Sequence, residues 1–195
     1  MNKLEEKTQQ RFASYIESMT TKADDLPFLI ATGGQRLIDC LLNDGKILIG
    51  AQGASSANAQ HFATALLHTF EVERPPLPAI DLSHHIKWCR REDDRDHWLT
   101  KPIFALGQPQ DVLVLLTTHG HAKCFSNAIE SAHEKGIAVL ALTGQDGGVL
   151  ASELGPEDLE IRIEGRHPAL IRETHLFILH CFCALIDFAL FGHDE

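Results

Sequence analysis

The chain has 195 residues, 44% of them hydrophobic, with 17 Lys and Arg against 27 Asp and Glu and a formal net charge of -10. That size suits one structural unit with a proper core, and the acidic balance repels a bare phosphate backbone, so direct nucleic-acid binding is not expected. Five cysteines (Cys40, Cys89, Cys124, Cys181 and Cys183), odd in number and without a C-x-x-C pair, suit reduced thiols in a cytoplasmic protein rather than a disulfide framework.

The first ten residues are polar and charged and carry no apolar signal-peptide core. Residues 2–42 read as helix. Phe12, Tyr15, Ile16 and Met19 recur at three- and four-residue spacing and mark one apolar face. Leu26-Pro27 breaks the pattern, and Phe28, Leu29, Leu37, Ile38, Leu41 and Leu42 form a second face. Asn43-Asp44-Gly45 stops it, with Gly45 at a capping position. Lys46-Ile47-Leu48-Ile49-Gly50 is a short apolar run, predicted as a buried strand. A small-residue turn, Gln52-Gly53-Ala54-Ser55-Ser56, leads into a helix carrying Phe62, Ala65, Leu66 and Phe70. Pro75-Pro76-Leu77-Pro78 is a loop, and Ala79-Ile80-Asp81-Leu82 a second strand. Residues 83–102 hold His84, His85, Trp88, His97 and Trp98 among many charges and read as a solvated loop with a short helix.

The strand Asp111-Val112-Leu113-Val114-Leu115-Leu116 is the clearest in the sequence, and Thr117-Thr118-His119-Gly120-His121 is its turn. A helix over 123–135, a strand over 137–142, the turn Thr143-Gly144-Gln145-Asp146-Gly147-Gly148, a strand over 158–163 and a helix over 168–191 complete the chain. The apolar stretch 176–191 is interrupted by His180 and Asp187 and falls short of the roughly 20 residues of a membrane span; no membrane role is expected. Buried strands alternating with helices predict an α/β fold, a parallel sheet covered on both faces.

Ligands of such sheets bind at the carboxyl ends of the strands. Here those ends carry hydroxyl-rich turns at 53–56, 117–120 and 143–148. Backbone N–H groups at a helix start, joined by Ser or Thr hydroxyls, suit a phosphate; the same residues also cap helices with no ligand involved. No G-x-G-x-x-G follows any strand, and no P-loop is present.

At these residues the chain resembles a known family. Gly45 to Leu48, and Gln52-Gly53-Ala54-Ser55-Ser56-Ala57-Asn58-Ala59-Gln60-His61-Phe62, look like the first motif of sugar-isomerase (SIS) domains, shared by phosphoheptose isomerases and DnaA initiator-associating (DiaA) proteins. Glu73-Arg74-Pro75, Leu142 to Gly148, Leu154 to Ile163 and the tail Leu185-Ile186-Asp187 with Leu190-Phe191 match in order. The resemblance implies a five-stranded parallel sheet with helices on both faces, an N-terminal helical arm over 1–42 with the SIS domain over 43–195, and a homotetramer.

The resemblance also implies, for the isomerases, a Glu and a His as base and acid, and a metal held by His, Glu and Gln. His61 and His180 stand at their positions, but Ala65 stands where the Glu belongs and Arg172 where the Gln belongs. Two histidines are a poor zinc site, and an arginine repels a dication. No metal, no cofactor and no catalytic residue are therefore expected, and the chain is expected not to be an enzyme. A weakened phosphosugar pocket remains, of Gly53, Ser55, Ser56, Thr117, Thr118, His119 and Gly120 with His61, His175 and His180. His119 and His121 are anion donors when protonated, or simply exposed turn residues. The tail likeness implies a DiaA-like adaptor for the replication initiator DnaA, contacting it through Leu190 and Phe191, with a phosphoheptose-type isomerase or a sugar-phosphate sensor as the alternatives.

Overall fold

The computed structural model describes residues 2–21, 24–89 and 93–192. Seven α-helices and five strands alternate in it: α1 (Lys3–Thr21), α2 (Leu26–Leu42), β1 (Ile47–Ala51), α3 (Ser56–Leu67), β2 (Ala79–Asp81), α4 (Thr100–Leu106), β3 (Val112–Leu116), α5 (Lys123–Glu134), β4 (Ala138–Gly144), α6 (Gly148–Glu153), β5 (Leu159–Ile163) and α7 (Pro168–Phe191). All strand pairs are parallel, in the order β2-β1-β3-β4-β5. This is the expected five-stranded α/β architecture.

Side chains alternate across each strand, and both faces are buried. Ile47 and Ile49 of β1 enter the core shared with α2, α3 and α7, beside Leu37, Phe62, Ile178 and Phe182. Leu48 enters the opposite core, with Leu99, Ile103, Phe125 and Leu150 from the helices on the other face. Two-sided burial explains why β1 and β3 are continuous apolar runs.

Of the two N-terminal helices, α1 is the more exposed. Its Phe12 and Ile16 are exposed, while the side chain of Met19 lies outside the described residues. By contrast α2 buries Leu26, Ile30, Leu37 and Ile38, and Pro27 sits in its first turn, where a missing N–H costs nothing. The stop after α2 differs in detail from the expectation. Asp44, not Gly45, takes the left-handed conformation, at φ 58. Gly45 is required for close approach instead, since a Cβ there would meet the Gln110 carbonyl oxygen at 2.4 Å.

The stretch 83–102 holds more structure than expected: 3-10 turns over Ser83–Trp88 and Asp93–Asp96, and the start of α4. Arg90, Arg91 and Glu92 lie outside the described residues. Two short helices, α4 with 7 residues and α6 with 6, escape periodicity because so few turns show no repeat, and α6 follows Gly147 at φ 81. Although α7, with 24 residues, is long and apolar enough to cross a membrane by length and composition, Ile178, Leu179, Phe182 and Ile186 are buried in the core here. The thiols of Cys40, Cys124 and Cys183 are buried and free. Burial pushes Cys183 up to about 12 and Cys40 up to about 11, which leaves them protonated and unreactive.

Candidate functional site

The carboxyl ends of β1, β3 and β4 bring the three predicted turns to one end of the sheet. After β1, Gly53 has φ 62 with no atom within 4 Å of a would-be Cβ, so the backbone conformation rather than space selects glycine. Ser55 is buried, and Ser56 Oγ donates to the Ala51 carbonyl at 3.3 Å. Ser55 is the N-cap residue of α3, but its side chain makes no cap hydrogen bond, so its hydroxyl is not spent on the helix end.

After β3, Thr117 Oγ1 accepts hydrogen bonds from the N–H groups of Gly120 (3.0 Å) and His119 (3.4 Å). That hydroxyl shapes the turn from within. Thr118 is buried, while His119 and His121 are exposed. The third turn is spent internally. Thr143 Oγ1 donates to Glu160 Oε1 at 2.5 Å, and Glu160 also pairs with Arg162 on β5.

His61 on α3 and His180 on α7 meet with their Nε2 atoms 2.9 Å apart, and Phe70 lies against His180 with ring centroids 5.1 Å apart. Desolvation first, then the neighbouring His61, pushes the His180 imidazole below its ordinary value. Asn58, one turn before His61, donates to the Arg172 carbonyl at 2.8 Å and ties the two helices together. Ala65 is 5% exposed and Arg172 half-buried. Two imidazoles are present where zinc normally takes four ligands; Ala65 and Arg172 supply no lone pair, so these residues do not fit a zinc centre. Among the described residues no three His, Cys, Asp or Glu side chains are grouped to hold a metal.

His175 lies inside the core, with no exposed surface. Its Nε2 donates to the Thr143 carbonyl at 3.0 Å, and Nδ1 has no partner. Burial holds its imidazole down at about 4, against the partial offset of the Thr143 bond. It pins α7 to the end of β4 rather than lining the open turns. Leu190 and Phe191 are half-buried against the core, and the Phe191 ring lies 5.9 Å from the Arg74 guanidinium.

Arg74 is the residue whose role the sequence reading missed, although its motif Glu73-Arg74-Pro75 was visible. Its buried guanidinium pairs with Asp187 at 2.5 Å and donates to the carbonyls of Ala65 and Leu66. It closes the carboxyl end of α3 and locks it to α7.

A family model described as SIS domain matches residues 11–144. The chain is 42% identical over 188 residues to a phosphoheptose isomerase of Shewanella baltica, covering 93% of this chain and 95% of that one. It is 41% identical over 187 residues to the DnaA initiator-associating protein DiaA of Citrobacter koseri, covering 94% and 95%. The solved structure of a phosphoheptose isomerase from Francisella tularensis superposes with a TM-score of 0.89 at 37% identity, covering 96% of this chain and 99% of that one. One from Neisseria gonorrhoeae superposes with a TM-score of 0.86 at 33% identity, covering 94% and 99%. These similarities overturn the expectation that the chain is not an enzyme. The substitution at Ala65 pointed away from catalysis, but full-length likeness to proteins named as isomerases, in sequence and in structure, outweighs one position.

Proposed function

The chain belongs to the SIS-domain family, and on that premise we propose that it binds a phosphorylated sugar at the carboxyl ends of β1, β3 and β4 and associates, as a homo-oligomer, with a DnaA-type initiator. The ligand half rests on the Gly53–Ser55 and Thr117-to-Gly120 turns, which the parallel pairing of β1 with β3 brings side by side. The partner half rests on the full-length likeness to a DiaA protein. A multivalent oligomer raises the effective concentration of the initiators it holds without needing tight single contacts. An acidic chain of net charge -10 suits contact with a basic-faced protein better than contact with DNA itself. Capture of the cognate DnaA by the purified protein, with and without origin DNA, tests the partner half; no capture in either condition removes it.

A second reading is favoured by the same histidine pair. Aldose–ketose isomerisation moves a proton between neighbouring carbons and needs an acid and a base within hydrogen-bond reach. At 2.9 Å, one Nε2 of the His61–His180 pair donates while the other accepts, so the pair holds one N–H and one lone pair side by side. Turnover of sedoheptulose 7-phosphate by the wild-type protein, abolished in His61→Ala and His180→Ala, would establish isomerase activity.

A further inference from the structure

We propose that the Arg172 guanidinium holds a carboxylate at the end of the ligand away from its phosphate, so that the site favours an open-chain phosphorylated sugar acid over the matching uncharged sugar phosphate. This rests on the phosphorylated-sugar reading and names the second group of that ligand.

Contacts on two sides fix where Arg172 stands. Ile171, the residue before it, packs on Gly144 at the end of β4. A Cβ on Gly144 would lie 2.8 Å from Ile171 Cδ1 and 2.6 Å from the Thr118 carbonyl oxygen. One turn further along α7, His175 Nε2 bonds the Thr143 carbonyl at 3.0 Å. Ile171 and His175 thus hold one face of α7 on the strand ends, and Arg172 starts about 100° around the helix from Ile171. On the other side, Asn58 Nδ2 donates to the Arg172 carbonyl at 2.8 Å. Asn58 belongs to the first turn of α3, three residues beyond Ser55, a rise of about 5 Å. Residue 172 is therefore next to the turn after β1 through Asn58, and next to the turn after β3 through Ile171 and Gly144.

Its charge has no acceptor. Among the described residues the other Arg and Lys side chains drawn out of open solvent each have one: Arg74 has Asp187, Arg162 has Glu160, Lys46 has Asp111, Arg36 has the Glu157 carbonyl and Lys135 the Phe104 carbonyl. Arg172 is half-buried, and its guanidinium meets no described acceptor. A cation withdrawn from water is costly until an anion meets it, and the guanidinium fork matches a carboxylate with two parallel bonds. One guanidinium balances a singly charged carboxylate. A second, doubly charged phosphate would remain undercompensated in a chain of net charge -10. Beside it, Asn58 keeps a second N–H and an amide oxygen for the hydroxyls of a sugar chain.

Calorimetry on the full chain compares 6-phosphogluconate with sorbitol 6-phosphate. Both carry the same phosphate on the same open carbon chain, and they differ in a carboxylate against a hydroxymethyl end. The wild type is expected to bind the acid about tenfold more tightly. In Arg172→Gln the two ligands are expected to bind within about twofold of each other, and Arg172→Lys, a point charge without the fork, to keep part of the preference. Melting temperatures at the wild-type value are expected for both variants, because the guanidinium bonds nothing in the folded chain. Equal affinities in the wild type, or a preference that survives Arg172→Gln, overturns the proposal. Equal weakening of both ligands by Arg172→Gln also overturns it, since Arg172 would then hold the phosphate. If sedoheptulose 7-phosphate and both probes bind the wild type alike, the phosphosugar reading stands and the carboxylate site falls. If no phosphorylated ligand binds the wild type, both fall.

Discussion

The Arg74 guanidinium and the Asp187 carboxylate meet at 2.5 Å with almost no solvent contact, joining the carboxyl end of α3 to the last third of α7. Breaking a buried pair leaves a charge stranded, at a cost of about 3–5 kcal/mol, whereas replacing both partners by apolar groups is far milder. Arg74→Ala is therefore expected to lower the urea midpoint steeply, and Arg74→Leu/Asp187→Leu to recover much of the loss. A double variant no more stable than Arg74→Ala would mean that the bonds to the Ala65 and Leu66 carbonyls carry the effect instead.

His175 makes stability depend on acid. Its imidazole is held at about 4 in the folded chain by burial, against about 6.5 when unfolded. Below the unfolded value the unfolded state binds a proton that the folded state refuses, so stability is full above about pH 6.5 and lost as pH falls toward 4. The expected loss is about 3 kcal/mol. Denaturant midpoints of the wild type and His175→Gln at pH 7.5 and pH 4.5 check this; an unchanged pH slope in the variant would assign the acid sensitivity elsewhere.

Gly120→Ala tests the locked turn. The new methyl would lie 1.9 Å from the Gly147 carbonyl oxygen, on a backbone at φ 61. Strain of about 1–3 kcal/mol is expected from the conformation alone, with more from the clash. Binding of a phosphorylated sugar at the strand-end turns should weaken as well. Unchanged binding would place the ligand away from this turn.

The tail separates packing from recognition. Leu190→Ala/Phe191→Ala is expected to release DnaA and also to lower the melting temperature, because Phe191 packs over Arg74. Losing an aromatic contact anchor commonly costs about 2 kcal/mol or more in binding. Phe191→Leu keeps the apolar packing while removing the ring. Release of DnaA by Phe191→Leu at near-normal stability would mark a contact; retention of DnaA by both variants would make the pair structural.

Elements with a strong local signal were legible in the sequence. The apolar run of β3 and the turn Thr117-Thr118-His119-Gly120-His121 lie where the pattern put them. Short α4 and α6 were not legible, because six or seven residues give too few turns for a period to emerge. Nor was the destination of each polar group. Thr143 read as a pocket hydroxyl but bonds Glu160, and His175 read as a pocket histidine but is enclosed beneath β4.

The sequence by itself determined the alternation of strands and helices and the three small-residue turns, since these depend on residue type and local spacing; Ala65 and Arg172 stood out only against the family the chain resembles. Only the tertiary structure decided that His61 and His180, 119 positions apart, share a hydrogen bond, and that Arg74 reaches Asp187 across 113 positions. The physical reason is that a polar side chain's role depends on which donor, acceptor or solvent meets it. Packing of α3 against α7 chooses those neighbours, and no periodicity within either helix encodes them.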